Sequence, residues 1–345
     1  MKTSRLVLPT FFCLAFFASA SGQNITVKKT PGNAYTVTAA GKAFTSFVFP
    51  DTLEKPVLYP IYAPDGQLVT RGFPVAPRKN EQFDHPHHIG LWLNYEKVNG
   101  LDFWNNSFAI AKDKKPNYGW IRNTKVTSAK SGTSGQLSYT SQWQDIKHTV
   151  LLNEKTGFVF SVKDGNYIID RTTTLTAAQD VAMPDIKDGM LGLRVTRELE
   201  LPSNEEREYK DDKGNITKIK ASSDPAISGN YLSSEGIQGD SVWSTRGRWC
   251  LLYGKKGADS LSIAIIDHPK NVGYPTYWHA RGYGLFAANP LGQKIFSKGK
   301  EMLDFKLKKG ESVTFRYRIV IAAGKKHLQK QQVDAMADDF AAAKP

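Results

Sequence analysis

The sequence predicts an all-β chain, a large antiparallel β-sandwich closed by one C-terminal helix. Three observations carry that expectation. Period-two runs of β-branched and aromatic residues recur at short intervals, turn dipeptides such as Asn-Gly, Asp-Gly and Lys-Gly separate them, and no helical pattern alternates with them.

Residues 1–20 read as a cleavable secretory leader. Lys2 and Arg5 precede an apolar run from Leu6 to Ala18, and Ala18-Ser19-Ala20 supplies the small residues of a cleavage site. The run is shorter than the roughly 20 apolar residues of a spanning helix. The remainder, 21–345, reads as a single β-sandwich domain located in a periplasm or outside the cell. Loss of the leader removes Cys13 and leaves Cys250 alone, so no internal disulfide forms. Cys250, between Trp249 and Leu251, reads as a small core residue.

Strands are expected at Ala34–Ala39, Ala43–Phe49, Gln136–Trp143, His148–Leu152, Gly157–Val162, Tyr167–Thr176, Met190–Leu201, Ser260–Ile266 and Ser312–Ala322. The charged stretch Ser203–Ser223 reads as an exposed hairpin or loop. The helix is expected within Gly324–Lys344, where Leu328, Val333, Met336 and Phe340 recur at helical spacing. The formal charge of +13 comes from lysines scattered through turns, without a basic helix or an aromatic-interleaved stripe. Nucleic acid is therefore not an expected partner, and membrane insertion is not expected either.

Chemistry concentrates between Pro56 and Trp104. Asp84-His85-Pro86-His87-His88 places three of the seven histidines within four positions, downstream of Arg71. Such groups are costly to bury unless paired, so their crowding between apolar runs marks a site. Pro86 disposes His85 to extended backbone, which would put His85 and His87 on one side and His88 on the other. Imidazoles so placed serve as acid and base near neutral pH, or bind a transition metal once a further ligand joins them. That further ligand would be His268, His279 or a carboxylate; the sequence commits to no metal, and His85, His87 and His279 are the set that would hold a divalent ion if one binds.

Asp267-His268-Pro269 repeats the Asp84-His85-Pro86 triplet at the end of an apolar strand, where binding residues concentrate. Tyr274 to Pro290 surrounds His279 and Arg281 with aromatic residues, as a sugar or aromatic ligand requires. A packed core accounts for Tyr283 and Phe286 equally well. Asn99 and Trp104 follow the histidine cluster closely, and Arg246 and Arg248 lie between Trp243 and Trp249. Arginine forks two hydrogen bonds onto a carboxylate or diol, although Arg248 could simply stack on tryptophan.

Tyr59-Pro-Ile-Tyr-Ala-Pro-Asp-Gly66, Thr70-Arg71, Asp84 to His88, Val98-Asn-Gly-Leu-Asp-Phe-Trp104, Asp267-His-Pro269, Tyr277-Trp-His279 and Gly284 to Pro290 together resemble the secreted bacterial family labelled methane oxygenase PmoA-like. That resemblance implies company with sugar-processing proteins but brings no established mechanism. A looser similarity is to galactose-mutarotase-like proteins. It implies a supersandwich with histidines, an arginine and a carboxylate in an open cleft. Asp84, Glu235 and Asp267 are the candidate general bases.

The leading expectation is a carbohydrate-active enzyme of isomerase, epimerase, lyase or hydrolase type. His87, His88, His279 and Asp84 would carry its acid–base chemistry. Arg71, Asn99, Trp104, Arg246, Asp267, His268, Trp278 and Arg281 would bind a small-molecule or glycan substrate. A non-catalytic glycan-binding module and a metal-dependent oxygenase or hydrolase are the alternatives.

Overall fold

The computed structural model describes residues 24–211 and 213–343, so the leader read at residues 1–20 lies outside the described residues. The chain begins with a meander of β1 (Ile25–Thr30), β2 (Ala34–Ala39), β3 (Lys42–Val48) and β4 (Val57–Ile61). The short β5 (Glu81–Gln82) and β6 (Leu91–Tyr95) flank the histidine cluster. Four long strands follow in hairpins: β7 (Trp120–Lys130), β8 (Gly135–Gln144), β9 (Val150–Lys163) and β10 (Asn166–Ala177). Then come β11 (Val181–Met183), β12 (Gly189–Arg194), β13 (Glu206–Lys210), β14 (Ile216–Lys220) and β15 (Asn230–Ser233). The last third holds β16 (Trp249–Lys256), β17 (Asp259–Asp267), β18 (Tyr277–Arg281), β19 (Leu285–Asn289) and α1 (Gln293–Phe296). The chain closes with β20 (Phe305–Leu307), β21 (Ser312–Gly324) and α2 (Lys330–Ala342).

Two eight-stranded sheets dominate. The first runs β1-β2-β3-β4-β6-β12-β19-β18 and the second β15-β16-β17-β21-β10-β9-β8-β7. The paired strands are antiparallel throughout. The predicted all-β sandwich is thus the observed fold. Its core lies between the sheets, where Phe44 of β3 meets Phe160 and Tyr167 at centroid distances of 5.7 and 4.3 Å, and Phe47 stacks on Tyr139 at 4.6 Å. Each such fully buried side chain contributes roughly 1.5–3 kcal/mol. One carboxylate sits in that core. Glu154 accepts hydrogen bonds from Tyr139, Trp143 and Thr156 at 2.6 to 2.8 Å and pairs with Arg171 at 3.4 Å, so its charge is buried fully partnered.

The outer faces have different fates. On the second sheet, Trp249, Ile266 and Val320 pack under Val333, Ala337 and Phe340 of α2. That helix starts at Lys330, not near Gly324, because β21 runs on to Gly324; a Gln329–Gln332 capping box then begins the helix. Arg248 pairs with Asp334 and Asp338 of α2 at 2.6 and 2.5 Å, so stacking on tryptophan is not its role. Among the described residues no such helix covers the first sheet; its outer face carries Val57, Tyr59, Trp92, Trp104, Leu285 and Ala287 beneath loops.

Several boundaries differ from expectation for physical reasons. The expected strands His148–Leu152 and Gly157–Val162 merge into one, β9, which starts at Val150 because His148 sits in a turn at φ 67°, and Gly157 continues the ladder opposite Thr172. The strand expected over Met190–Leu201 stops at Arg194, where Arg197 turns away to pair with Asp224 and Glu200 with Arg207. Ser203–Ser223 does form a hairpin, β13–β14, with β5 added as a third strand. The strands β4 and β6 show no alternation in sequence because both of their faces are buried. Among the described residues no helix is long and apolar enough to cross a membrane.

Candidate functional site

The site is built on the outer face of the first sheet. Leu91, Leu93 and Tyr95 of β6 enter the inter-sheet core, which turns Trp92 and Asn94 outward. Across the neighbouring strands Trp92 lies opposite Gly192, Gly192 opposite Ala287, and Ala287 opposite His279. Small residues in the middle of that row leave room for loop side chains above the sheet. A Cβ at Gly192 would lie 2.5 Å from Cζ2 of Trp92 and 2.9 Å from Cη2 of Trp104, so the two indoles occupy the space that glycine frees.

The histidine cluster folds over this face as a turn. The His88 N–H donates to the His85 carbonyl at 2.9 Å, and His85 takes a left-handed φ of 44°. The extended geometry expected before Pro86 is therefore absent, and all three imidazoles gather together. The His85 ring lies parallel to His88 at 4.8 Å and to Tyr283 at 5.1 Å, while His87 stands edge-on to both histidines. His88 in turn stacks on Trp92 at 5.3 Å. A non-glycine residue held at positive φ stores strain that the surrounding contacts must offset.

Asp84 is the electrostatic centre. Its Oδ1 accepts from Arg71 at 2.5 Å and from Arg194 at 2.8 Å, and its Oδ2 is hydrogen-bonded to Nδ1 of His85. Burial opposes ionisation of this carboxyl, but Arg194, the His85 hydrogen bond and Arg71 outweigh it and hold the group well below the usual carboxylate range. Arg71 also donates to the His85 and His88 carbonyls at 3.0 and 3.3 Å, which fixes the turn. With Nδ1 engaged by Asp84, His85 presents Nε2 on a side chain that is 41% exposed.

The other two histidines of the cluster lie deeper. His88 is 1% exposed, and its Nδ1 accepts from Arg194 at 3.1 Å, which requires a neutral ring. His87 is 8% exposed. Burial first, then neighbouring cationic groups, pushes both rings well below the ordinary imidazole value. Lys55, beneath them, donates to the His87 carbonyl at 2.8 Å and lies over Trp92; burial lowers its amine to about 8.

On the far side of the row stands a second group of acids. His279 is buried, and its Nδ1 lies 3.5 Å from Asp188 Oδ1 and forms no hydrogen bond among the described residues. Burial, followed by Lys187 and Arg281, lowers this ring to about 3. Asp188 also hydrogen-bonds Glu96, and burial reinforced by Asp188 and Asp102 raises Glu96 to about 7. Asp188 is itself raised, mainly by burial, and His85 lies within reach of its charge. The two distant parts of the sequence thus meet: Asp84–His88 and His279–Arg281 share one face, joined through Asp188 and Tyr283.

Other expected residues have other duties. Trp278 is 0% exposed in the inter-sheet core and offers no ring face to a ligand, because its strand neighbours His279 and Tyr277 take the outward positions. Trp104 is buried edge-on to His88, so it supports that ring and does not form an open platform. His268 packs against Phe340 of α2 on the opposite sheet, away from the cluster. Asp267 is spent on its own loop, accepting from the backbone N–H groups of His268 and Thr276 and from Asn271. Arg246 is committed to Glu301 and to the carbonyls of Gly273 and Pro275. Asn99 staples its turn to Asp180 and Ala182, and Glu235 is an exposed turn residue. Among the described residues no group of three or more His, Cys, Asp or Glu side chains is arranged to hold a metal ion, so the set His85, His87 and His279 is not assembled.

Four members of the site escaped sequence reasoning. Arg194 carried a signal, a lone charge within an apolar strand. Tyr283 looked like core, yet it stacks on His85 with the Arg194 guanidinium 5.0 Å from its ring. Asp188 and Glu96 flank strands in unremarkable turns and gave no sign.

A family described as "Family of unknown function (DUF6807)" matches residues 34–338. No curated protein matches. Among solved structures, the galactosidase domain of the alpha-galactosidase–sucrose kinase AgaSK aligns at 10% identity and TM-score 0.36, covering 88% of this chain and 42% of that one. A galactose mutarotase-like protein from Clostridium acetobutylicum aligns at 10% identity and TM-score 0.33, covering 86% and 98%. A galactose mutarotase related enzyme from Lactobacillus acidophilus aligns at 8% identity and TM-score 0.30, covering 88% and 99%. The chain spans about two fifths of the galactosidase structure it matches.

Proposed function

We propose an acid–base catalytic role for this chain, which belongs to the DUF6807 family of unknown function. The substrate on this reading is a small hydroxyl-rich molecule, a sugar or glycoside, and the proton-transferring group is His85. One observation carries the reading: Asp84, held ionised by Arg71 and Arg194, engages Nδ1 of His85 and leaves Nε2 without a hydrogen bond among the described residues, on a side chain that is 41% exposed. An ionised carboxylate on Nδ1 fixes the tautomer with a lone pair on Nε2, orients the ring and stabilises the imidazolium that forms when it takes a proton.

Catalysis explains the cost of this arrangement better than binding alone. A binding site needs donors and a surface; it does not need an imidazole held at positive φ against a doubly clamped carboxylate. Glu96, raised to about 7 by burial and by the neighbouring Asp188, supplies an acid near neutral pH to complement the His85 base. His87 and His88 serve as neutral packing and hydrogen-bonding groups around it. The leader read at residues 1–20 adds the proposal that this chemistry takes place in a periplasm or outside the cell.

Incubation of the protein with a panel of aldoses, uronic acids and glycosides, with products followed by proton NMR, tests the reading. His85→Gln is expected to lose turnover by about a thousandfold with the fold retained by circular dichroism. Full activity of that variant on the substrate found would overturn the assignment. Saturable glycan binding by wild-type protein with no product formed would instead establish a non-catalytic module.

A further inference from the structure

Tyr283 has a second neighbourhood besides the histidines. A cavity of about 280 Å³ opens beside it, lined by Ser203 and Glu205 ahead of β13, Asp240 and Trp243 between β15 and β16, and Arg281 at the end of β18. We infer that this cavity is a second subsite, that it takes a neutral sugar unit, and that the substrate is an oligosaccharide or a glycoside of at least two rings straddling Tyr283. The inference rests on the reading of His85 as the reacting group.

Three observations carry it. The first is position: Tyr283, which lines the cavity, also carries the ring parallel to His85 at 5.1 Å, so one residue borders both the cavity and the His85 imidazole. The second is an uncommitted guanidinium. Arg281 lies 5.5 Å from the Trp243 ring and 5.9 Å from the Tyr283 ring, and among the described residues it forms no ion pair. A flat donor fork held beside aromatic rings is suited to two adjacent hydroxyl oxygens.

The third observation is charge balance. Glu205 and Asp240 face the same space as Arg281, and the other arginine there, Arg207, is already paired with Glu200 at 2.9 Å. An anionic ligand would meet two carboxylates, and a cationic one would meet Arg281. A neutral polyol satisfies both, donating hydroxyls to the carboxylates, accepting from the guanidinium and laying C–H bonds on the half-buried indole of Trp243. The volume lies just below the usual range for ligand pockets, which fits one ring and not a longer chain.

The test is calorimetric titration of wild-type protein, Arg281→Gln, Trp243→Phe and His85→Gln with neutral disaccharides, trisaccharides and their constituent monosaccharides, alongside uronic-acid oligomers. Some neutral oligosaccharide is expected to bind wild type at least tenfold more tightly than its monosaccharides. Arg281→Gln and Trp243→Phe should erase that tenfold margin with the fold retained by circular dichroism. His85→Gln should keep the margin while losing turnover. Wild-type affinity for the oligosaccharide in both cavity variants would overturn the subsite, as would binding only of the acidic oligomers or of no saccharide at all. Retained turnover in His85→Gln with the margin lost in Arg281→Gln would overturn the catalytic reading and leave the subsite standing.

Discussion

The Arg194 guanidinium donates to the Asp84 carboxylate at 2.8 Å across 110 residues of chain, and its other nitrogen donates to His88 at 3.1 Å. One side chain from the sheet therefore fixes both the carboxylate that orients His85 and the ring that underlies it. Strand β12 supplies rigidity, and the loop supplies the reactive group.

Arg194→Ala is accordingly expected to lower stability by about 3 kcal/mol, because it leaves a partly buried carboxylate short of a partner and a buried imidazole without its donor. Arg194→Lys should recover part of the stability but little of the activity, since an ammonium cannot bridge both groups in a fork. Urea denaturation of the two variants, read against turnover of the identified substrate, separates the effects. Equal loss of activity and stability in the lysine variant would mean that Arg194 only holds the fold.

His85→Gly makes the opposite prediction. Glycine adopts a φ of 44° without penalty, so the strain of about 1 kcal/mol is relieved and offsets the lost ring stacking. The melting temperature should stay within a few degrees of wild type, or rise, while turnover disappears. A fall of 10 °C or more would show that the imidazole is part of the structural framework.

How much of this was legible in sequence depends on the kind of signal. The sandwich was legible because strands with one solvent-facing side alternate, and β2, β8 and β10 do so clearly. The histidine cluster was legible because its composition violates packing logic. Its geometry was not, since Pro86 argues for extension while the closing hydrogen bond from His88 to His85 and the Arg71 contacts impose a turn. Tyr283 and Trp278 exchanged their expected roles for a related reason. The pairing of β18 with β19 sets Trp278 opposite Ala288 and so inward, whereas Tyr283 lies in the turn between those strands, where strand period says nothing of its direction. Glu96 and Asp188 are ordinary in sequence and become special only by meeting each other.

That meeting has a signature in stability. The Glu96 carboxyl ordinarily ionises near 4.5 and is raised to about 7 in the folded chain, by burial and then by Asp188 and Asp102. The native state thus holds a proton that the unfolded chain releases. The stabilisation is complete below about pH 4.5 and is lost as pH rises toward 7. Asp188 is displaced in the same direction. The melting temperature of wild type measured from pH 4.5 to 7.5 should therefore carry a downward component that Glu96→Gln removes. Superimposable pH profiles for the two proteins would show that the pair does not share a proton.

The floor of the site gives the sharpest steric prediction. Alanine at position 192 would place its Cβ 2.5 Å from Trp92 Cζ2, 2.6 Å from Trp92 Cε2 and 2.9 Å from Trp104 Cη2, too close for either indole to stay where it is. Backbone movement is blocked because β12 is paired on both sides, with β6 and β19. The indoles must move instead, and Trp92 carries His88, which carries His85. Gly192→Ala is expected to cost about 1–3 kcal/mol through overpacking and to lower turnover disproportionately, because the ring that reacts loses its support. Tryptophan fluorescence should shift with it, since Trp92 and Trp104 are buried in the native chain. An unshifted spectrum together with undiminished turnover would mean that the row Trp92–Gly192–Ala287–His279 does not set the height of the histidine cluster above the sheet.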